Sequence, residues 1–158
     1  MTMTYEEFGV QAASIRDALL AISKTVDSSG LEKTLTELIK LRASQLNGCD
    51  FCIELHLSIS RKIGISEEKI EFLSEWRKTD LFNPRERAAL ALTEKLTSLN
   101  DAITNVEASP ETVFTSAEIV YLIATIGTIN SWNRIAVGLQ FPSSRSANGN
   151  HINMPNPE

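Results

Sequence analysis

Residues 37–56, with the sequence ELIKLRASQLNGCDFCIELH, contain both cysteines of the chain and one of its two histidines. Apolar residues recur at helical spacing on both sides of the Asn-Gly pair at positions 47 and 48, and such a pair suits the left-handed geometry of a helix C-terminus. So short a turn predicts two helices that fold back as an antiparallel pair. Cys49, Cys52 and His56 then open the second helix at offsets that place their side chains on one face.

The rest of the chain repeats this helical periodicity, and no period-two alternation, hairpin turn or Gly-rich phosphate loop interrupts it. Capping signals mark helix starts at Thr4 with Glu7, at Asn83 with Pro84 and Glu86, and at Thr115 or Ser116 with Glu118. We therefore predict an all-α protein, a single domain of about six helices. These helices are expected over residues 4–27, 31–46, 49–63, 66–76, 84–99 and 115–137. The first should bury an apolar stripe of Phe8, Ala12, Ile15, Leu19 and Ile22.

The C-terminal residues differ from the helical part in composition. Residues 142–158 are rich in Ser, Asn and Pro, which is typical of a mobile tail, and the second histidine, His151, lies there. We expect the helical domain to span residues 1–141 and the tail to carry no chemistry.

Size and charge narrow the class of protein. At 158 residues the chain fits one domain that buries roughly two thirds of its unfolded surface, so stability requires no disulfide scaffold. The formal net charge is -5, with basic residues scattered among acidic ones, which leaves no cationic face for nucleic acid. The first residues lack signal-peptide features, and the most apolar stretch, residues 119–126, is too short to cross a bilayer. We expect a cytoplasmic protein with no membrane partner, where a close cysteine pair is more often catalytic, redox-active or metal-binding than structural.

The spacing of the cysteines suits a redox reaction. On a helix, the α-carbons of Cys49 and Cys52 lie about 5 Å apart, within the range that a disulfide requires. In the first helical turn, free backbone N–H groups and the helix dipole stabilise a thiolate. His56 follows Cys52 by one turn and can take a proton from that thiol. The three residues therefore combine a dithiol with a base.

Glu37 lies on the other helix of the predicted pair. The rise per residue places it at an axial offset of about 3 Å from His56 but about 9 Å from Cys52, so the three form a relay in the order Glu37, His56, Cys52. We predict that His56, oriented by Glu37, helps to ionise Cys52, whose thiolate attacks a hydroperoxide. Cys49 then resolves the sulfenic acid to a disulfide. This reaction requires an external dithiol reductant, but no cofactor and no bound metal.

The same residues carry a family resemblance. Glu37, eleven intervening residues, the run Cys49-Asp-Phe-Cys52 and then His56 after three more residues resemble the alkylhydroperoxidase D-like branch of the carboxymuconolactone decarboxylase superfamily. The string at residues 85–92, RERAALAL, is similar to the small single-domain members of that family. The resemblance covers roughly residues 5–140.

For this family the resemblance implies an all-helical fold, peroxidase activity through the Cys-x-x-Cys pair, and homo-oligomers, either trimers or hexamers. By position, Cys52 is implied to be the peroxidatic cysteine and Cys49 the resolving one. Phe51 stands where some members carry a histidine, which leaves a relay with fewer members. The family's decarboxylases typically lack the dithiol, so a decarboxylase-like activity is an alternative that the two cysteines disfavour.

The dithiol also fits two further kinds of protein. It can belong to a non-catalytic redox sensor, or to a zinc site together with His56 and Glu37, although three ligands from one helix are poorly arranged around a tetrahedral ion. Glu37 can instead be exposed, or paired with Lys40 or Arg42.

Aromatic residues near these motifs have a simpler interpretation. Near the end of the last helix, Trp132 can form the wall of a pocket and Arg134 can pair with a carboxylate, but packing in the core or in a subunit interface is favoured. For Phe51, packing against a neighbouring helix is favoured.

Overall fold

The computed structural model describes residues 1–98 and 109–144. Within these ranges it contains seven α-helices, two 3-10 helices and no strand, which confirms the all-α prediction. The α-helices are α1 (Tyr5–Gln11), α2 (Ala13–Asp27), α3 (Lys33–Leu46), α4 (Asp50–Lys62), α5 (Glu67–Phe72), α6 (Pro84–Ser98) and α7 (Ser116–Gly138). The 3-10 helices are Leu73–Lys78, which continues α5, and Pro110–Thr112, which precedes α7.

The helix starts follow the predicted capping signals. Thr4 caps α1 and Thr115 caps α7, each in a reciprocal capping box with the glutamate three residues later. At α6, the backbone N–H of Glu86 donates to the Asn83 side chain, and the Glu86 carboxylate accepts from the Asn83 N–H, both at 2.9 Å. Local sequence therefore determines where these helices begin.

The helix predicted over residues 4–27 is two helices. The chain breaks at Ala12, with φ -132° and ψ 43°, and the Arg16 guanidinium donates to the Gly9 carbonyl near the break. The break allows Phe8 to enter the core while Ile15 and Ile22 stay 52% and 42% exposed, so the prediction of one buried stripe is wrong for these two. The cause is tertiary, because α2 packs chiefly on α7 and leaves these two side chains exposed.

Helix α3 is the centre of the domain. It packs against α4, α6 and α7, and its residues Leu38, Ile39 and Leu41 have no more than 1% of their surface exposed. The predicted antiparallel pair is α3 and α4, which pack together across the turn at Gly48, whose φ is +60°. A non-glycine residue adopts that conformation only at a cost. The turn therefore brings the end of α3 and the start of α4 side by side.

An aromatic cluster covers the start of α4. It joins Phe8, Phe51 and Phe141 with both cysteines and Ala136, and Tyr5 and Trp132 pack against it. Phe51 contacts Phe141 edge to face at 5.2 Å between ring centroids, which agrees with the packing role expected for it. Residues of α1, α4, α7 and the segment after α7 thus surround the cysteines.

The first residues assigned to the tail pack on this domain. Ser143 is buried, and the backbone N–H and hydroxyl of Ser144 donate to the Glu54 carboxylate at 3.0 and 2.6 Å. The rest of the predicted tail, with His151, lies outside the described residues, as do residues 99–108.

Across residues 1–98 and 109–144, none of the helices combines the length and the hydropathy needed to cross a bilayer.

Candidate functional site

The two cysteines meet at the N-terminus of α4 and form a disulfide, with their α-carbons 5.3 Å apart. Cys49 is the N-cap and lies just outside the helix, and Cys52 lies in the first turn. The backbone N–H of Cys52 points at the Cys49 sulfur, at 3.3 Å. Both residues are buried, at 2% and 4% exposure. The predicted proximity of the thiols is therefore present, with one sulfur facing the free N–H groups of a helix start.

Glu37 and His56 are in direct contact. The Glu37 Oε2 atom lies 2.8 Å from His56 Nδ1, and Oε1 accepts a hydrogen bond from Lys40 Nζ at 2.8 Å. Glu37 is fully buried and His56 nearly so. The alternative of an exposed Glu37 is therefore wrong, while the pairing with Lys40 exists beside the pairing with His56. Arg42 pairs elsewhere, with Glu94.

The charge of Glu37 is maintained by its partners. Burial raises the pKa of the Glu37 carboxyl, but the hydrogen bond and charge of His56, with Lys40, outweigh burial and lower the pKa to about 2. An ionised carboxylate can only accept a hydrogen bond. The His56 Nδ1 atom therefore carries a proton and donates a hydrogen bond to Glu37. The other ring nitrogen, Nε2, is then the atom available to exchange a proton with a neighbouring thiol.

A cavity of about 590 Å³ opens beside this pair, and Glu37, His56 and Cys52 all contribute to its lining. Its walls carry two chemically different sets of side chains. Four aromatic residues, Tyr5, Phe51, Trp132 and Phe141, form one set, and three lysines, Lys24, Lys33 and Lys40, form the other. A cavity of this size and apolar character fits a small organic molecule. Cys52 and His56 are therefore joined by a common space in which a substrate can meet both.

Several of these lining residues were missed by sequence reasoning. Tyr5, Phe141 and the lysines belong to no motif, and Trp132 was expected to pack rather than to line a pocket. Trp132 does both, since it is half-buried against Phe8 and also faces the cavity. Arg134, by contrast, is not among the lining residues, and its guanidinium donates to Asn130. Because the residues that line the cavity come from separate segments of the chain, no local sequence pattern predicts them.

Cys49 contributes to a different cavity, of about 390 Å³, which shares Phe51, Ala136 and Phe141 with the larger one. Cys52, Glu37 and His56 do not line this second space.

In the described ranges, no group of three or more His, Cys, Asp or Glu side chains is arranged to hold a metal ion. The zinc alternative therefore has no preassembled ligand set within residues 1–98 and 109–144.

Comparisons with known proteins agree with this architecture. An uncharacterized protein, YdfG of Bacillus subtilis (strain 168), is 34% identical over 144 residues, which cover 87% of this chain and 92% of that protein. A crystal structure of a protein of unknown function from Agrobacterium tumefaciens, described as a candidate antioxidant defence protein AhpD, superposes with a TM-score of 0.78. It is 36% identical, and the match covers 89% of this chain and 98% of that one.

A shorter match links the chain to an enzyme by name. The alkyl hydroperoxide reductase AhpD of Rhizorhabdus wittichii is 32% identical over 66 residues, or 42% of this chain and 35% of that protein. The carboxymuconolactone decarboxylase family profile matches residues 12–95, just over half of the chain and the whole of the segment that holds Glu37, both cysteines and His56. With its helical fold and these matches, the chain belongs to the carboxymuconolactone decarboxylase family and has its AhpD-like fold.

Proposed function

We propose that this protein is a thiol-dependent peroxidase that reduces organic hydroperoxides or hydrogen peroxide. Family membership supports a peroxidase-related or decarboxylase-like role at the coarser level. One observation carries the finer proposal: the disulfide-forming Cys49 and Cys52 lie beside a histidine that a buried glutamate holds, and Cys52 and His56 line one cavity. A thiol peroxidase requires a dithiol beside an oriented base, and the family resemblance implies that the decarboxylases typically lack this dithiol.

The first half of the reaction takes place at Cys52. In the reduced protein, His56 Nε2 accepts the proton of the Cys52 thiol, while the Glu37 carboxylate stabilises the resulting imidazolium. The thiolate attacks the terminal oxygen of the hydroperoxide, and the O–O bond breaks. The alkoxide takes the proton from His56 and leaves as an alcohol, and Cys52 becomes a sulfenic acid.

The second half of the reaction forms the disulfide between Cys49 and Cys52. The Cys49 thiolate attacks the Cys52 sulfur, hydroxide leaves as water after taking a proton, and the disulfide forms. The Cys52 N–H, which points at the Cys49 sulfur, supports the thiolate of Cys49 in this step. An external dithiol then reduces the pair, so the proposed setting is the reducing cytoplasm.

We further propose a homo-oligomer, with no nucleic-acid partner. Exposed apolar side chains on α2 and α7, namely Ile15, Ile22, Val120 and Ile123, supply surface that a second copy can bury.

Turnover is the test of the function. With dithiothreitol and cumene hydroperoxide, a peroxidase consumes many equivalents of hydroperoxide per chain, whereas a redox sensor consumes one and stops. After one equivalent, mass spectrometry should find the tryptic peptide of residues 43–61 lighter by two hydrogens. A peptide of unchanged mass would contradict the proposal.

Two single-cysteine variants separate the roles. Cys52→Ser should abolish hydroperoxide consumption, because it removes the proposed nucleophile. Cys49→Ser should end turnover but still yield one trappable sulfenic acid at Cys52. Full activity in Cys52→Ser, or no sulfenic acid in Cys49→Ser, would show that these roles are assigned incorrectly.

A further inference from the structure

The two sulfur-bearing residues line different cavities. Cys52 lines the larger one with Glu37 and His56, and Cys49 lines the smaller one with Asp50 and Val137. The proposed peroxidase chemistry uses only the larger cavity. The smaller cavity, of about 390 Å³, therefore needs its own explanation.

The wall between the cavities is aromatic. Phe51, Phe141 and Ala136 line both spaces, and the two phenylalanine rings pack edge to face with centroids 5.2 Å apart. All three residues are buried in the same cluster as the cysteines. The two cavities thus share these three side chains, and both cysteines belong to the same buried cluster.

Thiol–disulfide exchange imposes a direction of approach. The incoming thiolate attacks one sulfur in line with the S–S bond, from the side opposite to the sulfur that leaves. Attack on Cys49 therefore comes from the side away from Cys52, and attack on Cys52 from the side away from Cys49. Because each cysteine lines its own cavity, the cavity through which a reductant enters decides which sulfur it meets.

We propose that the smaller cavity is the reductant site, and that a slender dithiol entering it attacks Cys49. This inference rests on the proposed function only in taking the Cys49–Cys52 disulfide as the state that must be reduced. Cys49 is 2% exposed, so the attacking thiol must belong to a group small enough to enter the cavity. A thiol held on a flat protein surface cannot reach the Cys49 sulfur. The volume of the cavity matches a small molecule of that kind.

The exchange conserves atoms and electrons. The reductant thiolate forms a mixed disulfide with Cys49, and the S–S electron pair leaves with Cys52 as its thiolate. The second thiol of the reductant attacks its own sulfur in the mixed disulfide, which releases Cys49 as a thiol and the reductant as a cyclic disulfide. Cys52 is thus returned, already ionised, to the cavity that it shares with His56. The peroxide cavity does not have to empty for reduction to occur.

The position of attack can be measured directly on the unmodified protein. The disulfide form is exposed to 2-mercaptoethanol in the presence of iodoacetamide, which alkylates whichever cysteine leaves. We expect the mercaptoethanol adduct on Cys49 and the carbamidomethyl group on Cys52, as read by mass spectrometry of residues 43–61. The reverse pattern, or an equal mixture, would overturn the proposal.

Crossed variants then test the two cavities. Val137 is exposed and lines only the smaller cavity, and Leu20 is 37% exposed and lines only the larger one. Val137→Trp should lower the rate constant for reduction by dithiothreitol about tenfold, while oxidation by cumene hydroperoxide changes less than about twofold. Leu20→Trp should show the opposite pattern. Equal slowing of both half-reactions by Val137→Trp would contradict separate sites.

Reduced thioredoxin supplies a contrasting probe, because its dithiol lies on a folded protein surface. It should reduce the disulfide more slowly than dithiothreitol at equal concentration of dithiol. Faster reduction by thioredoxin would contradict a site that only a small dithiol can enter.

Failure of this inference differs from failure of the proposed function. The disulfide can be made with diamide, so the site of the mercaptoethanol adduct is readable even if the protein consumes no hydroperoxide. An adduct on Cys52 together with normal peroxide turnover would refute only the reductant site.

Discussion

Two of the buried glutamates, Glu37 and Glu94, play different parts in this protein. Glu37 on α3 has no exposed surface, and Glu94 on α6 retains 5%. Each carboxylate is surrounded by donors that hold its negative charge. Glu37 faces His56 and Lys40, whereas Glu94 faces the indole of Trp76 and the guanidinium groups of two arginines.

The partners of Glu94 make it a structural residue. Burial raises the pKa of Glu94, but hydrogen bonds from Arg77, Trp76 and Arg42 outweigh burial and hold the pKa below its ordinary value. Arginine keeps its proton at any pH the protein survives, so this cluster has nothing to exchange. It ties α6 to α3 and to the 3-10 helix that follows α5, and Glu94 lines neither cavity.

Glu37 differs because one of its partners is an imidazole. His56 presents one ring nitrogen to Glu37 and lines the cavity that Cys52 also lines. Burial of a carboxylate is common to both clusters and so does not identify a reactive site. Glu37 has, in addition, an imidazole partner that lines a cavity.

Removing the Glu94 carboxylate should have the largest effect on stability. Glu94→Ala removes the carboxylate that accepts from the Arg42 guanidinium and leaves the buried Trp76 N–H without its acceptor, and we expect a loss of about 3 kcal/mol in the free energy of unfolding. Urea unfolding of the variant and the wild type measures this loss of stability. The oxidation rate of the folded variant should match that of the wild type. A slower oxidation in folded Glu94→Ala would contradict the purely structural role of Glu94.

Lowering the pH should show how much the ionised Glu37 contributes to the free energy of unfolding. Its pKa falls from 4.5 to about 2 on folding, so its stabilisation is complete above the unfolded value and is lost as the pH drops through the folded value. The stability advantage of wild type over Glu37→Gln should shrink by about 3 kcal/mol between about pH 6 and pH 2. Urea unfolding over this range tests it, and a constant difference would contradict the lowered pKa.

The same substitution should slow the chemistry. Glu37→Gln leaves the His56 imidazolium without its counter-charge, and we expect oxidation of reduced protein to slow about tenfold to a hundredfold near neutral pH. The effect should fade at high pH, where Cys52 ionises without help. Glu94→Gln is the matched control with a buried glutamate outside the cavities. An unchanged pH profile in Glu37→Gln would remove Glu37 from the relay.

Lys40 should have the smallest effect of the set. Its Nζ atom contacts the Glu37 oxygen that does not bind His56, so it supports the charge but carries no exchanged proton. Lys40→Met should cost about 1 kcal/mol or less and change the oxidation rate less than about threefold. A loss as large as that of Glu37→Gln would show that Lys40 acts in the reaction itself.

Much of the site was predictable from the hairpin of α3 and α4. The Asn-Gly turn fixes the register of two regular helices, so counting residues from it placed Glu37 beside His56, and they are 2.8 Å apart. The cluster of Glu94 was not predictable in this way, because Arg42, Trp76 and Arg77 come from segments with no register relative to α6. The break at Ala12 was not predicted for a similar reason, because Phe8 packs in an aromatic cluster with residues that are distant in the sequence.

The sequence by itself determined the helices, their caps, and the juxtaposition of the dithiol, the imidazole and Glu37, because these depend on spacing along the chain and on one short turn. Only the tertiary structure decided that Glu37 and His56 share a cavity with Cys52 and that Cys49 lines a different one. Cavities form where helices from distant segments pack imperfectly, and packing depends on the shapes of all their side chains together.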